Sequence, residues 1–266
     1  MPGSSRTPYL WDNRKLTAVL RLDALSQMYD AFSQQRLVDV GIPADGQCLE
    51  ICAGDRDMAG WLAEQAGPDG HALAIDIDPQ HITPHPRLTI LTHHLLTDAL
   101  PDGPFDVIHA RDVVQHMPDP QQFVNELIAT LAPGGILALE DVVPDWANAV
   151  LDSPDPRARD IFESFGFAWA NVLRRTGDHG SWIGRTHQAM MRHGLAEVTT
   201  VGHEQSSPGG TATCLLVDAT ASEHRDRLFD AGMRGPDLDL LTVLARDPRL
   251  VLLSPRLLST VGRKPA

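Results

Sequence analysis

The chain has 266 residues, 42% apolar and 21% charged, so it is neither a disordered chain nor too short to bury a core, and one large domain or one domain with an elaborate insertion is expected. Lys plus Arg number 22 against 35 Asp plus Glu, and the resulting net charge of −13 repels phosphate backbones and argues against nucleic acid as a partner. No apolar run approaches the ~18 residues needed to span a membrane, Met1 to Arg6 carries no signal-peptide core, and Cys48, Cys52 and Cys214 make no disulfide framework, so a cytoplasmic protein with reduced thiols is expected.

The first half alternates short apolar runs with amphipathic stretches. Gln47–Cys52 reads as a buried strand, and Asp57–Ala66 as a helix stopped by Gly67-Pro68. His71–Ile75, Leu88–Leu91 and Phe105–Ala110 read as three further strands. Gln121–Leu131 is a helix with Phe123, Val124, Leu127, Ile128 and Leu131 on one face, ended by Pro133-Gly134-Gly135, and Ile136–Leu139 is a fifth strand. Short buried strands separated by helices predict parallel βαβ units with helices on both faces, an α/β doubly wound sheet. Beyond Pro144 the pattern is less regular. Arg157–Arg175 and His187–His193 read as helices and Leu195–Val201 as a strand. Thr211–Val217 is open between strand and buried helix. Glu223–Ala231 and Asp237–Ala245 read as helices, and Leu257–Val261 as a closing strand.

Ligands of a doubly wound sheet bind outside the carboxyl ends of the strands. After the first predicted strand stands Cys52-Ala53-Gly54-Asp55-Arg56, with one glycine where G-x-G-x-x-G would cradle a pyrophosphate. That argues against a dinucleotide and equally against a P-loop nucleotide, and points to a nucleoside without a phosphate bridge. After the second stands Asp76, where an acid accepts from ribose hydroxyls; capping of a short helix near Pro79 is the alternative reading.

The run Cys48 to Pro79 (CLEICAGDRDMAGWLAEQAGPDGHALAIDIDP) resembles the first two motifs of class I S-adenosylmethionine-dependent methyltransferases. Leu100–Pro118, Leu131–Asp141, His187–Val198 and the tail Leu253–Arg263 resemble later motifs of the same family in the same order. The nearest flavour is the small-molecule enzymes of secondary metabolism and quinone biosynthesis. The resemblance implies a Rossmann-like seven-stranded sheet and methyl transfer to a small metabolite, with S-adenosylmethionine as cofactor and S-adenosylhomocysteine as product. It implies an N-terminal helical cap over 1–40, a cofactor-binding core over 41–143, a lid insertion over 144–194, and completion of the sheet over 195–266 with a helical insertion at 209–247. The partner expected is a small-molecule substrate, with no nucleic acid and no membrane, and with a homodimer as the assembly to consider.

Residue by residue, the resemblance places Glu50, Ala53 and Gly54 along the methionine part of the cofactor. It places Asp76 on the ribose, Ile77 on the adenine, His94 and Leu95 at the adenine edge, and Ala110 and Arg111 beside the sulfonium. Tyr9 and Arg21 fall in the N-terminal cap. Cys52 and Arg56 replace the first and last motif glycines, and His94 replaces the adenine-binding acid. The first glycine often has positive φ, where a side chain costs ~1–2 kcal/mol. These departures keep two other readings open: a methyltransferase-like cyclase or other non-methylating enzyme of natural-product biosynthesis, and a non-catalytic partner subunit.

Histidine suits a general base near neutral pH, and His116 and His187, then His179, are the candidates. Trp11, Trp146, Trp169 and Trp182 are candidates for an apolar acceptor pocket. No metal site is expected: prolines interrupt His81 and His85, and His93 and His94 point apart on an extended segment. Cys48 and Cys52 read as core thiols.

Overall fold

Four of the five residues of the first strand are buried, so both faces of that strand need a helical cover. The computed structural model describes residues 10–11, 14–52, 54, 58–143, 145–146, 148–176 and 180–266. Helix α1 (Leu16–Val40) is followed by β1 (Gln47–Ile51), α2 (Met58–Gln65), β2 (His71–Asp76), β3 (Leu88–Thr92), β4 (Phe105–Arg111), α3 (Pro120–Thr130) and β5 (Leu131–Val143). The second half contains β6 (Val150–Asp152), α4 (Ala158–Arg175), α5 (Thr186–Arg192), β7 (Ala196–His203), β8 (Ser206–Pro208), α6 (Ala212–Glu223), α7 (Arg225–Asp230), α8 (Gly235–Arg246), β9 (Val251–Leu253) and β10 (Arg256–Arg263).

Seven strands form one sheet in the order β3-β2-β1-β4-β5-β10-β7. The first five run parallel. Strand β10 is antiparallel to both neighbours, β5 and β7. Side chains alternate across the pleat. Leu49, Ile51, Ile108, Leu137 and Leu139 pack on one face with Phe123, Val124, Leu127 and Ile128 of α3 and with Met190 of α5. Cys48, Val107, Ile136 and Ala138 face the other way, against Leu37 of α1 and Met58 and Leu62 of α2. This is the α/β doubly wound, Rossmann-like sheet that the alternating pattern predicts.

The chain divides into two units. The sheet unit comprises 26–143, 180–204 and 256–266; the second comprises 1–25, 144–179 and 205–255. Helix α1 contributes residues to both. Residues 180–194 therefore pack with the sheet unit, and the second unit takes in a wider stretch than the insertion expected at 209–247. Its core includes Phe162 and Phe165, both fully buried, and a three-stranded sheet, β6-β9-β8. Among the described residues no helix is long and apolar enough to cross a membrane.

The structure decides one open reading and departs from the sequence reading in one feature. Thr211–Val217, open between strand and buried helix, forms the N-cap and first half of helix α6, in which nine residues are buried. A helix covered on every side carries no amphipathic stripe, so periodicity could not distinguish it from a strand. The three-stranded sheet was not anticipated at all. Its strands are three residues long, and β8 is Ser-Ser-Pro, a sequence with no strand signal.

Helix α3 begins where Asp119 accepts the backbone N–H of Gln122 at 3.0 Å, with Pro120 in the first turn. Asp119→Ala should therefore lower stability by about 1 kcal/mol, read as a shifted midpoint in urea denaturation with unchanged slope. Asp119→Asn should recover most of it.

Candidate active site at the strand tips

The carboxyl ends of β1, β2, β3 and β4 share one edge, because these strands are parallel and in register. Backbone bonds tie that edge together. The N–H of Cys52 donates to the carbonyl of Ile75 at 2.8 Å, that of His93 to Asp76 at 2.8 Å, and that of Asp112 to Glu140 at 2.7 Å. Cys52 and Asp112 both sit in the left-handed region, at φ 54° and 60°. Two non-glycine residues in that region at neighbouring strand ends mark a place where local geometry is held at a cost. Cys52, expected as a core thiol, is exposed. It follows the last pleated residue of β1, and the left-handed turn carries it out of the alternation. Cys48 is buried, and burial pushes its thiol up to about 12.

Asp76 ends β2 and is 5% exposed. Its Oδ1 accepts the N–H of Asp78 at 2.7 Å. The short helix Pro79–His81 has Asp78 at its N-cap, so Asp76 binds the N–H of the N-cap residue and is not itself the N-cap. Ile77 follows this buried carboxylate in sequence and is 42% exposed; in the loop after β3, Leu95 is half-buried and Leu96 is 42% exposed. His94 is turned into its own loop: Nδ1 accepts the N–H of Leu96 at 3.2 Å, and its backbone N–H donates to Asp98 at 2.8 Å. That backbone bond, with the Thr97 hydroxyl, holds the Asp98 carboxyl below its usual range. Gly54 is buried; Ala53, Arg56, Tyr9 and His179 lie outside the described residues.

Behind the tips, the face of the sheet that meets α1 carries a buried polar chain. In register, Glu50 of β1 pairs with His109 of β4, and Glu140 of β5 pairs with Arg111 of β4. The His109 ring lies between two carboxylates, Nδ1 at 2.7 Å from Glu50 Oε2 and Nε2 at 3.3 Å from Glu140 Oε2. The Ser33 hydroxyl on α1 donates to the same Glu140 oxygen. Arg111 donates to Ser33 at 3.3 Å and to Asp30 of α1 at 2.7 Å. His109, Glu50 and Glu140 are all at least 97% buried. Burial alone would lower the His109 pKa, but the charges and hydrogen bonds of Glu50 and Glu140 push it up to about 10. Burial would raise Glu140, yet the hydrogen bond and charge of His109, with Arg111 and Ser33, bring it down to about 2. Sequence reading treated His109 and Glu140 as anonymous strand residues. The only signal available was a titratable residue at the buried position of each strand.

The other candidates scatter. His116 is half-buried and closes the short turn Val114–His116 after β4. His187 is exposed on α5, with Nδ1 at 2.9 Å from Thr200 Oγ1, which in turn lies 2.9 Å from Thr260. It rests on the middle of β7 and β10 rather than at a strand tip. Trp182 packs into the sheet unit's apolar core. In the second unit, Trp146 meets Phe165 edge-on at 5.5 Å. Trp11, Trp169 and His224 form an aromatic group there, with centroids 4.6–5.5 Å apart and the Arg21 guanidinium 4.4 Å over Trp11. Burial pulls His224 down to about 4, so it is neutral at physiological pH.

A family model described as "Methyltransferase domain" matches residues 25–187, and the chain belongs to that family. It is 34% identical over 133 residues to Methyltransferase str2 of Strobilurus tenacellus, covering 48% of this chain and 46% of that protein. It is 26% identical over 111 residues to a demethylmenaquinone methyltransferase of Listeria monocytogenes, covering 37% and 47%. These matches thus span about half the length of the relatives. In structure, the chain is similar to Haemonchus contortus phosphoethanolamine N-methyltransferase 2 in complex with S-adenosyl-L-methionine. The TM-score is 0.53 at 12% identity, over 96% of this chain and 59% of that one, a likeness of fold.

Two outcomes follow from this geometry. Cys52→Gly should leave the thermal midpoint unchanged or raise it, and Cys52→Val should cost ~1–2 kcal/mol, because a β-branched side chain is worst at positive φ. For His109 the raised pKa means that its stabilisation is complete below about pH 6.5 and is lost as pH climbs toward about 10. For Glu140 the lowered pKa means that its stabilisation is complete above about pH 4.5 and is lost as pH falls toward about 2. Urea midpoints should therefore decline above about pH 6.5 in the wild type, and a His109→Phe chain should lack that decline.

Proposed function

We propose that the chain is an S-adenosylmethionine-dependent methyltransferase acting on a small-molecule metabolite, with S-adenosylhomocysteine as product. The observation that carries this reading is the buried Asp76 carboxylate at the end of β2, followed by the exposed Ile77, at an edge with no glycine-rich phosphate cradle. A carboxylate suits two ribose hydroxyls, and exposed aliphatic side chains suit the faces of an adenine. The neighbouring β1 and β4 form the switch point of the strand order, where doubly wound sheets take their ligands. The residues present therefore fit a phosphate-free nucleoside, and family membership narrows it to this cofactor.

The cofactor supplies an electrophilic methyl group on a sulfonium. The work left to the chain is to bind, align and exclude water, which suffices for an in-line displacement that neutralises charge. Asp76 holds the ribose, Ile77, Leu95 and Leu96 cover the adenine, and Glu50, Gly54, Ala110 and Arg111 line the methionine end. A neutral hydroxyl acceptor would also need a proton acceptor, the role we assign to His116 rather than to His187, which lies away from the tips. The acceptor we propose is a flat or lipophilic metabolite, and the proposed setting is cytoplasmic secondary metabolism.

Titration calorimetry with S-adenosylmethionine should give saturable binding, and Asp76→Asn should weaken it about tenfold or more, the size of one or two charge-assisted hydrogen bonds. Incubation with candidate acceptors should then release S-adenosylhomocysteine. Binding without release under every acceptor class would favour a non-methylating enzyme, and no binding at all would remove the cofactor assignment.

A further inference from the structure

The buried chain behind the strand tips is more than core filling. Both ring nitrogens of His109 face carboxylate oxygens, and an ionised carboxylate only accepts. With both carboxylates ionised, two N–H donors are needed, and the ring that supplies them is an imidazolium. Hydrogen bonds then run in fixed senses from Arg111 through Ser33 to Glu140, and from His109 outward to Glu140 and Glu50. Among the described residues of this group, three carboxylates (Asp30, Glu50, Glu140) stand against two cations (Arg111, His109), one negative charge in excess. Among the described residues Asp30 Oδ2 is buried with no hydrogen-bond partner, so acceptor capacity remains. Such an excess, next to the edge where β1 and β4 end, is complementary to a cation.

We propose that His109 is a positioning residue for cofactor binding: held by Glu140 on one side, it fixes the Glu50 carboxylate at the end of β1 to receive the cationic amino-acid end of the nucleoside. This rests on the cofactor reading given above. Through Ser33 and Asp30 the same chain makes the docking of α1 a condition for the placement of Glu50. A mere packing role for the ring would not depend on which nitrogen is kept.

That distinction sets the test. His109→Asn retains a donor near the Nδ1 position, facing Glu50; His109→Gln retains one near Nε2, facing Glu140. Calorimetric affinity for S-adenosylmethionine should stay within about threefold of wild type in the Asn chain and fall about tenfold or more in the Gln chain, as expected for losing one hydrogen bond to an ionised group. Equal losses in both variants would overturn the proposal. Nitrogen-15 NMR of the wild type, with labelled histidine, is independent of variant folding. It should show one ring with both nitrogens protonated from about pH 6 to 9; a neutral His109 in that range would also overturn it. A wild type that binds no cofactor would instead sink the cofactor reading itself, while leaving the NMR result standing.

Discussion

Charges taken out of water must be paired, and this single constraint ties the middle of the sheet to the helix that covers it. Glu50, His109 and Glu140 occupy adjacent strands on one face, where aliphatic residues would otherwise be expected. Each charge finds its partner only if β1, β4 and β5 keep their register. A slip of one residue would turn every side chain of a strand to the other face and leave a buried charge alone, a loss of several kcal/mol. Helix α1 is drawn into the same condition through Ser33 and Asp30. Apolar packing could hold α1 in several neighbouring settings, but a directional chain of hydrogen bonds admits one.

The parallel half of the fold was legible because its signals are local. Runs such as Gln47–Cys52 and Phe105–Ala110 are short, apolar and bounded by turn residues, and α3 has both an amphipathic face and clear start and stop residues. The strand-end residues were legible for a related reason: once strands are placed, topology says where to look. Asp76 ends β2, at the strand boundary that the apolar run marks. Cys52 was recognised as a residue in a place that favours glycine, and its φ of 54° bears that out.

What stayed hidden depends on contacts distant in sequence. Glu50 and His109 are 59 residues apart and Ser33 and Glu140 are 107 apart, so no window of sequence shows them as partners. The small sheet of the second unit was hidden for a similar reason, since β6, β8 and β9 come from separate parts of the chain and each is only three residues long. The aromatic candidates divided along the same line. Composition marks Trp182 and Trp169 alike, but packing sends one into the core of the sheet unit and the other beside Trp11 and His224.

Strand β10 lies between β5 and β7 rather than at an edge. During synthesis, β5 therefore presents an open flank and β7 has no partner until residues 256–263 have left the ribosome. The chain emerges with its parallel half able to assemble and its sheet still unclosed. Exposed strand edges invite pairing with other chains. The interval before that final segment arrives is when a nascent copy is most open to sticking to its neighbours, and a ribosome pause just upstream of Arg256 would lengthen it.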